Sequence, residues 1–113
     1  MKILEKSITI DELRTVAAQR FGDMVKAVVD VGKGLLALDA ELHSDLEELL
    51  LEGGSKQKDL WGINLYPDLE GENFIEFDSM INLRPSQGNK NRGIDDIKIQ
   101  QKIIETVRKW VKR

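Results

Sequence analysis

Residues 25–38, VKAVVDVGKGLLAL, constrain the fold more than any other stretch. Two aliphatic runs, the first rich in β-branched residues, flank a Gly-Lys-Gly punctuation. A period of two, with glycines ready for positive φ, predicts an antiparallel hairpin. With Gly32-Lys33 as the turn and Val31 opposite Gly34, Val25, Ala27, Val29 and Val31 share a face with Leu36 and Leu38. The same register sets Lys26 opposite Asp39, an opposite-charge cross-strand pair on the other face.

Helical signals bracket this hairpin. Thr9 and Glu12 have capping-box spacing, in which each side chain satisfies an orphan amide at the other end of the first turn. Ile10, Leu13, Ala17 and Phe21 then recur at helical spacing, and Gly22 is placed to end the helix. ELHSDLEELLLEGG predicts a second helix with Ser44 and Glu47 as its capping box. Its buried stripe is Leu42, Leu46, Leu49 and Leu50, and Gly53-Gly54 is its stop. At the far end, Asp95 or Asp96 caps IKIQQKIIETVRKWVKR. There Ile99, Ile103, Ile104, Val107, Trp110 and Val111 oppose Lys98, Lys102, Lys109 and Lys112.

DLWGINLYP and NFIEFDSMINLRP form a second expected hairpin. Pairing Leu65 with Ile75 gathers Trp61, Ile63, Leu65, Ile75, Phe77, Ile81 and Leu83 on one face. Asn64, Tyr66, Glu76, Asp78, Asn82 and Arg84 occupy the other, as in an antiparallel sheet with one side wet. The expected architecture is α+β, in the order α-β-β-α-β-β-α, with helices packed on one face of the sheet. At 113 residues this is expected to be one domain spanning 1–113.

Composition narrows the chemistry. There are no cysteines and a single histidine, His43. Disulfides, thiolate nucleophiles and sites built on paired imidazoles are therefore excluded, and no metal or other cofactor is expected. MKILEKSITI has too short an apolar run for a signal peptide, and nothing approaches a membrane span, so a cytoplasmic protein without a membrane partner is expected. The net charge of −3 conceals asymmetry: residues 84–113 carry nine Lys/Arg against three Asp/Glu, and residues 1–83 carry eight against seventeen. Such a division is expected of a partner surface, or of two parts that attract each other.

The segment NLRPSQGNKNRG, residues 82–93, is the most conspicuous loop. Its amides with Arg84, Asn89 and Arg92 are candidates for holding an anion before the last helix. Against this, Asp95 and Asp96 compete for the same helix dipole, and the spacing is not that of a P-loop. The structural alternative makes Pro85 a strand end and Gly88-Asn89 a turn. Glu76 and Asp78, two apart on one strand, point to one face and are the catalytic candidates, with His43 as a third. The bland readings are solvated carboxylates and a structural histidine.

At RFGDMVKAVVD, DLWGINLYP and FDSMINLRPSQGN the chain resembles a family of small prokaryotic proteins known only as a domain of unknown function. The likeness runs from the first helix to the last. The blocks at Trp61-Gly62, Asp78, Arg84-Pro85, Asn89 and Arg92 are characteristic of that family. The resemblance implies a compact free-standing protein, and brings no activity, cofactor or catalytic residue.

The leading expectation is a non-enzymatic protein-interaction module, homo-oligomeric through complementary acidic and basic surfaces. The competing class is a small metal-assisted hydrolase of a phosphate-containing substrate, using Glu76 and Asp78 with Arg84, Asn89 and Arg92. A third is nucleic-acid contact through the lysine stripe of the last helix, which lacks interleaved aromatics for base stacking.

Overall fold

The computed structural model describes residues 1–113. Its elements are β1 (Lys2–Ile3), β2 (Ile8–Thr9), α1 (Ile10–Arg20), β3 (Val25–Asp30), β4 (Leu35–Leu38), α2 (His43–Glu52), β5 (Leu60–Leu65), β6 (Ile75–Glu76), α3 (Ile97–Trp110) and β7 (Val111–Lys112). Five strands form one antiparallel sheet in the order β1-β4-β3-β5-β6, and β2 pairs in parallel with β7. The α+β expectation is met.

Both hairpin registers are as the alternation predicts: Ala27 faces Leu38, Val29 faces Leu36, and Leu65 faces Ile75. The first turn is wider than two residues. Asp30 ends β3, and its carboxylate accepts from the amides of Gly32 and Lys33, both at 2.9 Å, while Gly34 (φ 68°) closes onto the Asp30 carbonyl. The Ser55 hydroxyl donates to the other Asp30 oxygen at 2.6 Å, tying the turn to the end of α2. The Lys26–Asp39 pair does not form. Asp39 lies beyond β4 in a left-handed conformation (φ 74°), where Arg20 and the N-terminal ammonium reach it at 2.9 and 3.4 Å. Burial works to raise its carboxyl, but these two cations outweigh it and hold Asp39 below its ordinary value. Lys26 instead lies 5.2 Å from the Phe21 ring centre.

The helices divide between the two faces of the sheet rather than sharing one. Leu13 and Ala17 of α1 and Ile103 and Val107 of α3 pack with Val25, Ala27, Val29, Leu36, Leu38, Ile63 and Leu65. Leu46 and Leu50 of α2 pack on the other side, with Val28, Ala37 and Leu60. Strand parity explains the split, because Val28 and Ala37 are the odd neighbours of the first set. In VKAVVD, Val25, Ala27 and Val29 face one layer and Val28 the other, between Lys26 and Asp30 at the strand's ends. Fully burying each of these Leu, Ile or Val side chains stabilises the fold by about 1.5–3 kcal/mol.

The Thr9–Glu12 capping box is present, and Asp96 caps α3 by accepting from the Lys98 amide at 2.8 Å. The Ser44–Glu47 box is not: α2 begins at His43, behind Leu42, without a side-chain cap. Leu42 is correspondingly exposed, while the His43 ring turns inward. Trp110 donates its indole N–H to the Gly34 carbonyl at 2.8 Å, anchoring α3 to the first hairpin turn. No helix is long and apolar enough to cross a membrane.

Candidate functional site

The second hairpin departs from its expected form after Glu76. The run FIEFDSMINL alternates like a strand, yet only Ile75 and Glu76 pair with β5. The chain then folds into short 3-10 turns at Met80–Asn82 and Pro85–Gln87. Its lateral approach passes over Gly62, where a Cβ would stand 2.5 Å from the Ser79 Cβ. β5 is nevertheless not left with bare backbone groups. Asn82, fully buried, accepts from the Gly62 N–H at 2.8 Å and donates to the Gly62 carbonyl at 3.0 Å. One carboxamide thus makes both bonds that the next residue of a paired strand would have made. Arg84 continues the substitution, donating to the Leu60 carbonyl, two residues along the same edge.

Two of the anion candidates therefore sit inside the fold. The Arg84 guanidinium also donates to the carbonyls of Ile81 (3.0 Å) and Gln57 (2.8 Å), reaches Glu47 of α2 at 3.4 Å, and lies 4.7 Å from the Trp61 ring centre. Burial pulls its pKa down and Glu47 opposes that. Asn89 donates to the carbonyls of Asn82 and Gly93 at 2.7 and 2.8 Å and accepts from the Asp95 amide at 3.0 Å. Its backbone pairs with that of Arg84 in both directions, and Gly88 (φ 80°) closes this small loop. The third candidate, Arg92, lies at the surface and pairs with Asp78 at 2.7 Å.

The catalytic candidates come together around the end of β5. Glu76 accepts from the Asn64 side-chain amide at 2.8 Å and from the Tyr66 hydroxyl at 3.1 Å. Burial first, and then the bond to Glu76 with its charge, raise the Tyr66 phenol above its ordinary value. His43 donates from Nε2 to the Ile63 carbonyl at 2.8 Å. Burial, aided by the Lys26 charge, holds its imidazole below the ordinary 6.5 against the opposing pull of Ile63, Asn64 and Asp78. A ring held below 6.5 is mostly neutral at physiological pH. Asn64 is buried, and its Oδ1 takes no hydrogen bond. No three of the histidine, aspartate and glutamate side chains converge as a metal-binding group.

A separate concavity lies away from these residues. A cavity of about 730 Å³ runs between β6 and the outer flank of α3. Phe74, Ile75 and Phe77 form one wall; Ile104, Val107 and Val111 form the other. Arg108, Lys112 and Arg113 stand at the rim with the amides of Gln100 and Gln101, and Glu72 is the one acid. Arg113 stacks 4.6 Å from the Phe74 ring centre and donates to the Leu69 carbonyl. Four of the six arginines, Arg14, Arg20, Arg84 and Arg92, are in ion pairs with carboxylates; the two that are not, Arg108 and Arg113, both line this cavity.

Sequence reasoning missed this groove. The periodicity of α3 exposes a signal for it: Gln100, Ile104 and Arg108 fall on one stripe beside the core stripe, so the apolar side is wider than one packed face needs. Which element lies across from that stripe is a tertiary fact.

The family described as protein of unknown function (DUF5674) matches residues 2–110, and the chain belongs to it. This agrees with the resemblance carried by the blocks from RFGDMVKAVVD to FDSMINLRPSQGN. No curated protein and no solved structure matches the chain.

Proposed function

We propose that this chain is a non-enzymatic protein-interaction module, acting in the cytoplasm, whose working surface is the groove between β6 and α3. The observation that carries this reading is the combination of an apolar floor with Arg108 and Arg113, the two arginines that no carboxylate neutralises. A cavity of about 730 Å³ falls within the roughly 300–1,000 Å³ of ordinary binding pockets. The hydrolase reading asks Arg84 and Asn89 to face a phosphate, which would require them to release backbone carbonyls they already bind. The interaction reading asks nothing of those residues beyond the bonds they make.

Selection of a random peptide library on the purified protein tests the proposal. Enriched sequences are expected, and their addition to ¹⁵N-labelled protein should shift residues of β6 and the second half of α3. Absence of enrichment, or shifts confined to His43, Asp78 and Arg92, removes the reading. Homo-oligomerisation is the second form of the same proposal, supported by the exposed acids Glu41, Asp45, Glu48 and Glu52 near and along α2. Light scattering across concentration decides it: a strict monomer leaves only a heterologous partner.

A further inference from the structure

Resting on the interaction reading above, we infer that the groove takes an extended acidic peptide, which adds to β6 as a further strand and places its carboxylates on Arg108 and Arg113. β6 is the last strand of its sheet. The Tyr66 amide donates to the Phe74 carbonyl, so Phe74 and Glu76 turn their backbone groups toward β5. Alternation then aims the N–H and C=O of Ile75 outward, beside the groove it lines. Natural edges are usually blunted by lysine, proline or a bulge. The edge from Asn73 to Phe77 has neither lysine nor proline.

An exposed strand edge facing a helix is the geometry that receives an added strand in several peptide-binding domains. The α3 wall from Gln100 to Arg108 is about 12 Å long at 1.5 Å per residue, the span of about four extended residues at ~3.3 Å each. In such a segment one set of alternate side chains meets Phe77, Ile104 and Val107, and the rim cations select acidic residues.

Other occupants fit less of the geometry. A small amphipathic anion would use the floor and the cations and leave the edge amides open. A second copy offering its α2 acids faces a symmetry obstacle, because α2 packs on the opposite side of the sheet from α3. Groove and acids cannot both engage across one two-fold axis, so that contact is head-to-tail and closes only as a ring.

The test uses the full chain, ¹⁵N-labelled, with a blocked hexapeptide alternating valine and glutamate at concentrations up to millimolar. Amide hydrogen exchange at Ile75 should slow at least tenfold on binding, while N-methylation of alternate peptide positions abolishes the effect. Replacing the glutamates by lysine should weaken binding about tenfold, and the double variant R108E/R113E should reverse that preference. Binding that leaves the Ile75 amide unprotected overturns strand addition while the interaction reading stands. No binding of the hexapeptide overturns the inference, and the library selection then decides the broader reading separately. Equal binding of the lysine peptide overturns the assignment of an acidic partner.

Discussion

Asn82 supplies, from its side chain, a rung that the backbone of a longer β6 would have supplied, and its replacement measures what that rung contributes. In Asn82→Ala the Gly62 N–H and C=O and the Arg92 carbonyl all lose their partner, at sites whose bonds measure 2.8, 3.0 and 2.9 Å. At about 1 kcal/mol net per bond the loss is about 3 kcal/mol, rising toward 5 if water cannot reach the vacated groups. The lower figure is about a fifth to three-fifths of a typical domain stability of about 5–15 kcal/mol. For a chain of this size it corresponds to a Tm lower by about 12 °C. Urea unfolding should show a midpoint lower by about 2 M with an unchanged slope. Hydrogen exchange at the Gly62 amide should accelerate selectively. Asn82→Asp is a sharper probe, because it keeps the acceptor for Gly62 N–H and turns the donor into an oxygen facing two carbonyls. Its carboxyl pKa should rise above the unfolded value, so this variant should be least stable above its folded pKa and recover as pH falls from there toward the unfolded pKa. An alanine variant within about 1 kcal/mol of the parent, with Gly62 still protected, would refute the idea that a side chain holds this edge.

Arg84→Met leaves the carbonyls of Ile81, Gln57 and Leu60 without their donor and should cost about 3–5 kcal/mol by denaturant titration. Arg84→Lys should recover only part of this, since a point charge cannot fork to three acceptors. Gly62→Ala drives a methyl against the Ser79 Cβ and should cost about 1–3 kcal/mol, with the Ser79–Asn82 turn shifting most in an NMR spectrum. His43 sits below 6.5 when folded, so the unfolded chain binds its proton more readily. Stability should therefore be full above that pH and fall as pH drops from it toward the folded value. In His43→Gln, which can still donate to Ile63, this segment of the stability–pH curve should flatten; an identical curve would place its cause elsewhere.

Several parts of the fold were legible in the residues because their determinants are local. The hairpin around Gly32-Lys33 carried its own register, since a period of two leaves one way to gather the valines and leucines on shared faces. Thr9 with Glu12 and Asp96 before Ile97 marked helix starts through contacts within a single turn. The amphipathy of α3 likewise needed only its own spacing. The Ser44–Glu47 box had the same spacing and failed, because the His43 ring is drawn onto the Ile63 carbonyl and the helix starts two residues earlier.

The candidate site was less legible. Glu76 joined Asn64 and Tyr66 as strand alternation implies, but Arg84, expected on a wet surface, is buried beneath α2 and the turn at Gln57. The sequence alone determined where the chain alternates, where it coils and which helices are amphipathic, because those properties are written in spacings of two to four residues. Only the tertiary structure decided that α2 crosses to the other side of the sheet, that β6 stops at Glu76 and that α3 leaves a groove beside it. Each depends on groups far apart in the chain: Asn82 meets Gly62 across 20 residues and Trp110 meets Gly34 across 76. A buried backbone group accepts any donor with the right geometry, and no local pattern tells which distant side chain will provide it.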